Sequence, residues 1–291
     1  MLQLSRTIRF CVSGGLSSKA NPPRHNAYSS WPAMRGLGRY YQLQVTCHGL
    51  TDPVTGYFIN IKDIDRAVHD HAVPRFEQAL SGSTASEIVP LGQLLQDVTT
   101  LLQPALRQSV QYVRLHLTPM YSLQIRNHDM KHLVMRQQYE FSAAHRLHVA
   151  KLSNEDNHQL FGKCNNPAGH GHNYRVEVAV RVAVDDTGHV PMVEHLDAIV
   201  AEAVIAKLDH KYLNVDVSQF KQLNPSVENI TQVIYEMLEP ALTALDDGVG
   251  VKLESVSVWE TEKTVCTYSG PTVTETQSAA RSSRPMQGPD L

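Results

Sequence analysis

The chain has no dominant charge. Its 26 Lys and Arg face 29 Asp and Glu, a formal net charge of −3. That balance does not suit a protein that works by wrapping phosphate backbones, so nucleic acid is not an expected partner. The chain also lacks any uninterrupted apolar run near the ~18 residues of a spanning helix. Its first residues, MLQLSRTIRFCVSGG, hold no apolar stretch of secretory type. No membrane partner and a soluble, cytoplasmic protein are the expectation. Cysteine is scarce: Cys11, Cys47, Cys164 and Cys266 form no CxxC pair and no tight framework. That argues against a disulfide scaffold and for reduced thiols. Apolar residues are plentiful. They fill 42% of 291 positions, which excludes global disorder and, at roughly 100 to 200 residues per domain, predicts two domains.

Histidine is the unusual component. Of 15 in the chain, His145, His148, His158, His170 and His172 fall in one short stretch, a density that points to a metal site. The chain also repeats itself: GLGRYYQLQV (36–45) lies under GHGHNYRVEV (169–178), and INIKDIDRAV lies beside MVEHLDAIV, at a spacing of about 132 to 133 residues. Such a period is too long for a solenoid and fits two copies of one small domain. Each copy reads as strand, strand, helix, helix, strand, an α+β pattern. In the second copy Tyr139, Phe141, Ala143 and His145 alternate onto one face, as do Tyr174, Val176, Val178, Val180 and Val182. A helix from about Leu196 carries Ile199, Val200, Ala203, Val204 and Leu208. Another follows Ser226, a candidate N-cap, with Val227, Ile230, Ile234, Met237 and Leu238 as its stripe. Residues 251–268 read as the closing strand. In the first copy Leu91, Leu94, Leu95, Val98, Leu101 and Leu102 mark the second helix. Domain boundaries of 1–128, 129–270 and a disordered tail over 271–291 follow, with 127–135 as the linker.

The chemistry centres on His145 and, 25 residues later, His170-Gly171-His172. Strand alternation points His170 and His172 to the same side, and His145 shares the face of Phe141 and Ala143. Three imidazoles converging from two paired strands make the ligand set of a catalytic zinc with one open position. The alternative for any one of them is a hydrogen-bonded core histidine. Cys164, in the loop Gly162-Lys163-Cys164-Asn165-Asn166-Pro167-Ala168-Gly169, reads as a fourth ligand, as a base near the open position, or as an idle thiol. Asp209 beside His210 can set the imidazole tautomer only if the fold bends the two side chains together; otherwise they decorate a helix end. Glu260, on the face of Val256 and Val258, points inward and needs a donor, either a guanidine-like ligand edge or an internal Lys or Arg. Glu228, in the first turn of the last helix, complements the helix dipole and is a second carboxylate candidate for substrate.

At these residues the sequence resembles the 6-pyruvoyltetrahydropterin synthase family, which includes the 6-carboxytetrahydropterin synthases of the queuosine pathway. The matching pieces are FSAAHRL, GKCNNPAGHGHNY, LDHKYLN, NPSVENI and WETEK, in the family's order over about residues 135 to 270. The resemblance implies zinc on His145, His170 and His172, Cys164 as base, Asp209 with His210 completing the proton-transfer group, and Glu260 anchoring the pterin ring. It implies T-folds, each a four-stranded antiparallel sheet with two helices on one face. These assemble as homo-oligomers into barrels with active sites at subunit interfaces. The implied substrate is 7,8-dihydroneopterin triphosphate. The product is 6-pyruvoyltetrahydropterin if the side chain is kept, or 6-carboxytetrahydropterin with acetaldehyde if it is cleaved. The spacing of Cys164 from His170 and Asn173 after HGH look like the pyruvoyl-forming type. A zinc- and pterin-binding protein without turnover is the non-enzyme alternative. The first copy has Leu37, Arg39, Gly14 and Thr118 where the second has His170, His172, His145 and Glu260, which predicts a half without metal or catalysis that supplies partner surfaces.

Overall fold

The computed structural model describes residues 1–12, 38–80, 89–185, 188, 193–244 and 251–271. Along the chain these form β1 (Leu2–Val12), β2 (Arg39–Gly49), α1 (Ile61–Ala67), a π-helical turn (Val68–Ala72), α2 (Val73–Leu80), α3 (Leu91–Ala105), β3 (Val110–His116), β4 (Tyr121–Arg126) and β5 (Asp129–His145). Then come α4 (Asn154–Phe161), β6 (His170–Ala183), α5 (Val193–Val200), a second π-helical turn (Ala201–Ile205), α6 (Ala206–Leu208), β7 (Lys211–Tyr212), α7 (Leu213–Asp216), α8 (Val227–Thr243), β8 (Lys252–Thr261) and β9 (Thr264–Tyr268). This is an α+β fold with an antiparallel sheet. No helix among the described residues is long and apolar enough to cross a membrane.

Two compact units divide the chain. The first comprises Met1–Tyr139, Glu177–Ala201 and Ala241–Lys252; the second comprises Glu140–Val176, Glu202–Pro240 and Leu253–Leu291. They do not coincide with the halves expected from the repeat, because the long strands β5 and β6 each contribute to both. In the first unit the strand order is β1-β2-β3-β4-β5. Its register aligns Leu43 with Leu115, Leu115 with Leu123 and Leu123 with Met135, and likewise Val45, Val113, Ile125 and Leu133. All of these are buried. The alternate positions, Gln44, Arg114 and Gln124, take the other face, as a period of two requires. Leu94, Leu95, Val98 and Leu102 of α3 are buried, while Leu101, read as part of that stripe, is 41% exposed.

The second unit holds β5-β6-β8-β9, with β7 parallel to the end of β5. The predicted apolar face of β6 is realised: Tyr174, Val176, Val178, Val180 and Val182 are all buried. So is the helical stripe of Leu196, Val200, Ala203, Val204 and Leu208, although the helix begins at Val193 and is widened by the π turn. Ser226 starts α8 as expected, its carbonyl accepting from Ile230 N at 2.9 Å.

Three expectations change. Residues 127–135 are not a linker, because β5 begins at Asp129 directly after a short turn. The closing strand is a hairpin, with β8 and β9 paired from Val256 and Tyr268 to Thr261 and Thr264. Helix α4 was not foreseen; Ser153 caps it by accepting from Asp156 N at 3.0 Å. The tail beyond residue 271, with Gly14 and Leu37, lies outside the described residues.

Candidate metal centre and proton-transfer group

The site is built where β5 ends and β6 begins. His145 is fully buried, and its Nδ1 lies 2.7 Å from the carbonyl oxygen of Pro225. A carbonyl accepts only, so Nδ1 carries the proton and Nε2 keeps its lone pair. That Nε2 stands 3.1 Å from His170 Nε2. The Nε2 of His172 is buried without a hydrogen-bond partner, and one ligand nitrogen from each ring lies within 4.8 Å of the others. Burial, reinforced by His170 and His172 and opposed by the Pro225 carbonyl, pushes the His145 pKa down to about 4. Burial and His172 lower that of His170 as well. Protons on His145 and His170 are therefore disfavoured near neutral pH. A divalent cation would satisfy the facing lone pairs, because bonds of 2.0–2.1 Å in tetrahedral array place ligand nitrogens roughly 3.3 Å apart. The three imidazoles fit a metal of the zinc class.

A glycine makes the approach feasible. Gly169 has φ +73°, and a Cβ there would lie 3.0 Å from the Tyr212 ring and 3.1 Å from the His145 carbonyl. A side chain at this position would be strained by the positive φ and crowded against the Tyr212 ring and the His145 carbonyl.

Glu260 points inward, as its strand parity predicted. Its Oε1 lies 3.5 Å from His145 Nε2 and 3.9 Å from His172 Nε2. Among the described residues no ion pair joins it to a Lys or Arg, and it faces imidazole nitrogens without accepting a hydrogen bond from either. Beneath the ring of histidines the Tyr174 hydroxyl is buried without a partner, and the Tyr174 ring stacks on Phe141 at 4.9 Å and 15°. Burial, with Glu260 and Cys164 adding to it, raises the Tyr174 pKa, so the phenol stays protonated.

The condition set for Asp209 and His210 is met by the backbone. His210 adopts φ +55°, a left-handed conformation that non-glycine residues rarely take. Its N–H donates to the Ser142 carbonyl at 2.6 Å. The turn folds the imidazole back so that Nδ1 sits 2.7 Å from Asp209 Oδ2, while Asp209 Oδ1 accepts from Ser142 N at 2.8 Å. These hydrogen bonds, from Ser142 first and His210 second, lower the Asp209 pKa. The carboxylate therefore fixes the ring's tautomer and leaves Nε2 of a largely exposed imidazole directed outward. Cys164 is partly exposed and free. Among the described residues no hydrogen bond joins its Sγ to Asp209 or His210. Glu228 is exposed in the first turn of α8.

Sequence reasoning did not find Pro225, Arg146, Asn165 or Asn214. The only signal for them was the density of Asn within the motifs, since their work is done through backbone groups. Cys47 is buried, whereas Cys11 and Cys266 are partly exposed.

Residues 134–271 match the family model described as 6-pyruvoyl tetrahydropterin synthase. The chain is 44% identical over 131 residues to the 6-pyruvoyl tetrahydrobiopterin synthase of Homo sapiens, covering 45% of this chain and 86% of that protein. It is 41% identical over 131 residues to the enzyme of the same name from Poecilia reticulata, covering 45% and 85%. Among solved structures it is similar to Caenorhabditis elegans 6-pyruvoyl tetrahydropterin synthase, at 38% identity and a TM-score of 0.44 over 48% of this chain and 96% of that one. The three histidines, the folded-back acid and histidine pair and the cysteine loop all lie inside the matched residues, and the chain belongs to the 6-pyruvoyl tetrahydropterin synthase family as an enzyme of its lyase type.

Proposed function

We propose that the protein converts 7,8-dihydroneopterin triphosphate to 6-pyruvoyltetrahydropterin with elimination of triphosphate, using zinc held by His145, His170 and His172. The observation that carries this reading is the convergence of three imidazole nitrogens within 4.8 Å in a chain that also holds a carboxylate-oriented histidine. A zinc ion bound there would supply Lewis-acid polarisation of the substrate's side-chain hydroxyls. Cys164 takes the proton from the adjacent carbon as thiolate. His210, oriented by Asp209, carries protons between substrate and solvent. Glu260 and Glu228 are assigned to the donor edge of the pterin ring, where a carboxylate matches the 2-amino group and N3–H. The redox change is internal: the side-chain carbons are oxidised as the ring is reduced, and the triphosphate leaves with its ester oxygen.

Residues 1–128 are read as a degenerate T-fold copy. The π-helical turns at Val68–Ala72 and Ala201–Ile205 support this, since a rare feature recurs at the repeat spacing. Assembly of copies into a barrel would bring Cys164 of one copy to Asp209 and His210 of another. Mixing inactive Cys164→Ala and His210→Ala proteins tests that arrangement by recovery of turnover.

The test of the function is an anaerobic incubation of zinc-loaded protein with 7,8-dihydroneopterin triphosphate, followed by chromatography and mass analysis. The expected product keeps its three-carbon side chain. A 6-carboxy product with acetaldehyde would assign the deazapurine route instead. Unchanged substrate with zinc bound would leave a pterin-binding protein.

A further inference from the structure

Arg146 follows the buried metal-ligand candidate His145, yet its side chain turns toward the cysteine loop. Its Nε donates to the carbonyl of Asn165 at 3.2 Å and its Nη2 donates to Asn165 Oδ1 at 3.0 Å. The carbonyl of Cys164 accepts from Leu147 N at 2.9 Å. Two consecutive carbonyls, that of the thiol residue and that of its successor, are therefore fastened to the end of β5. The backbone of Arg146 is held in turn. Its N–H donates to Asn214 Oδ1 at 2.8 Å and its carbonyl accepts from Asn214 Nδ2 at 2.9 Å. Asn214 closes the segment that begins with Asp209 and His210, and β7 within that segment pairs with Ala143 and Ala144 just before His145. His148 Nδ1, 3.0 Å from Asn165 Oδ1, adds a second hold on the same asparagine.

One residue thus ties together the strand that carries His145, the loop that carries Cys164 and the segment that carries the acid and histidine pair. The loop needs such a tie. It is a single 3-10 turn, Gly162–Asn165, and it buries none of its side chains. Apolar packing does not fix it, and directional hydrogen bonds to a planar guanidinium do. We propose that Arg146 is the positioning residue of Cys164, setting the thiol against the metal centre through the Asn165 clamp. This rests on the reading of Cys164 as the base. The requirement it answers is geometric, because a displacement of about 1 Å in a reacting group can cost on the order of a hundredfold in rate.

The test uses full-length, zinc-loaded Arg146→Ala, Arg146→Lys and Asn165→Ala proteins. Three quantities are read: bound zinc, kcat and KM separately, and the rate of Cys164 alkylation by iodoacetamide followed by peptide mass. Expected in Arg146→Ala are full zinc, unchanged KM, kcat lower by about ten- to a hundredfold, and faster alkylation as the loop is released. Lys retains charge but cannot reach both acceptors of Asn165, so Arg146→Lys behaves like Arg146→Ala. Alkylation and kcat falling together would mean that the guanidinium acts by charge on the thiolate, which overturns positioning. Parental kcat and alkylation in Arg146→Ala overturn it as well. If Arg146→Ala loses zinc or fails to fold, Asn165→Ala, read beside His148→Ala, decides, since Asn165→Ala removes the Oδ1 contacts of both Arg146 and His148 while His148→Ala removes the second alone: parental kcat and alkylation in Asn165→Ala, or the same change in both variants, overturn the proposal. Should the parent protein show no turnover, the function fails, but the alkylation contrast still reports on the clamp.

Discussion

The ends of two strand pairs show what separates a framework from a site. In the first, Phe10 of β1, Tyr41 of β2 and Phe76 of α2 pack together, with ring centroids 5.1, 5.2 and 5.8 Å apart. In the second, Phe141 and Tyr174 stack at 4.9 Å, but the position 133 residues after Phe76 is Asp209. The aromatic pair and the π-interrupted helix recur while the third position changes from a ring to a carboxylate. The ring needs only volume around it. The carboxylate needs donors, and it takes them from the Ser142 backbone and from His210, at the cost of a left-handed residue. Apolar positions at one strand end thus serve as core, and polar positions whose hydrogen bonds are satisfied serve as a site at the other.

The largest effects that test this contrast are catalytic. Cys164→Ala is expected to lower turnover by about 10² to 10⁴-fold with zinc retained. His172→Ala loses the metal, and Tyr41→Ala in the first region changes neither metal content nor product identity. Zinc still bound in His172→Ala, by elemental analysis, would break the three-imidazole centre. Next comes packing: Phe76→Ala is expected to destabilise by about 3 to 5 kcal/mol in urea titration, because Phe76 is only 1% exposed. A much smaller loss would mean that the first region does not use its rings as core.

The pH dependence of the metal-free protein sharpens the other side. His145 is depressed from 6.5 to about 4. As pH falls through that window the unfolded chain takes up a proton that the folded chain refuses, and stability is lost by about 3 kcal/mol. The urea midpoint should fall between those limits, and the His145→Asn variant should show a shallower slope, keeping the share of His170, whose pKa is lowered too; an equal slope in both proteins would assign it elsewhere. The smallest effect is at the left-handed residue. His210→Gly relieves strain of roughly 1 kcal/mol and so leaves thermal stability equal or slightly raised, while turnover is lost. A clear drop in stability would show that the imidazole holds the turn together.

Much of the second region was legible because its signals are local. The alternation 174, 176, 178, 180 and 182 needs only a sheet to face, and His170 and His172 inherit the same parity. The Pro225 carbonyl, the Asn165 clamp and the Asn214 pair were not legible, since backbone groups carry no residue identity and their partners lie 19 to 80 residues away. Residues 127–135 were misread because a short turn joining two strands resembles a linker when neither strand's partner is known.

By itself the sequence determined the two periodicities and the residue types able to hold a metal and move protons, because these are properties of neighbours along a chain. Tertiary structure decided that His145 meets His170 and that Asp209 reaches back to its own neighbour. It also placed Glu260 close to the imidazoles of His145 and His172. Those outcomes depend on strand register, on one positive φ and on the close approach permitted by Gly169, none of which is a property of the residues taken in order.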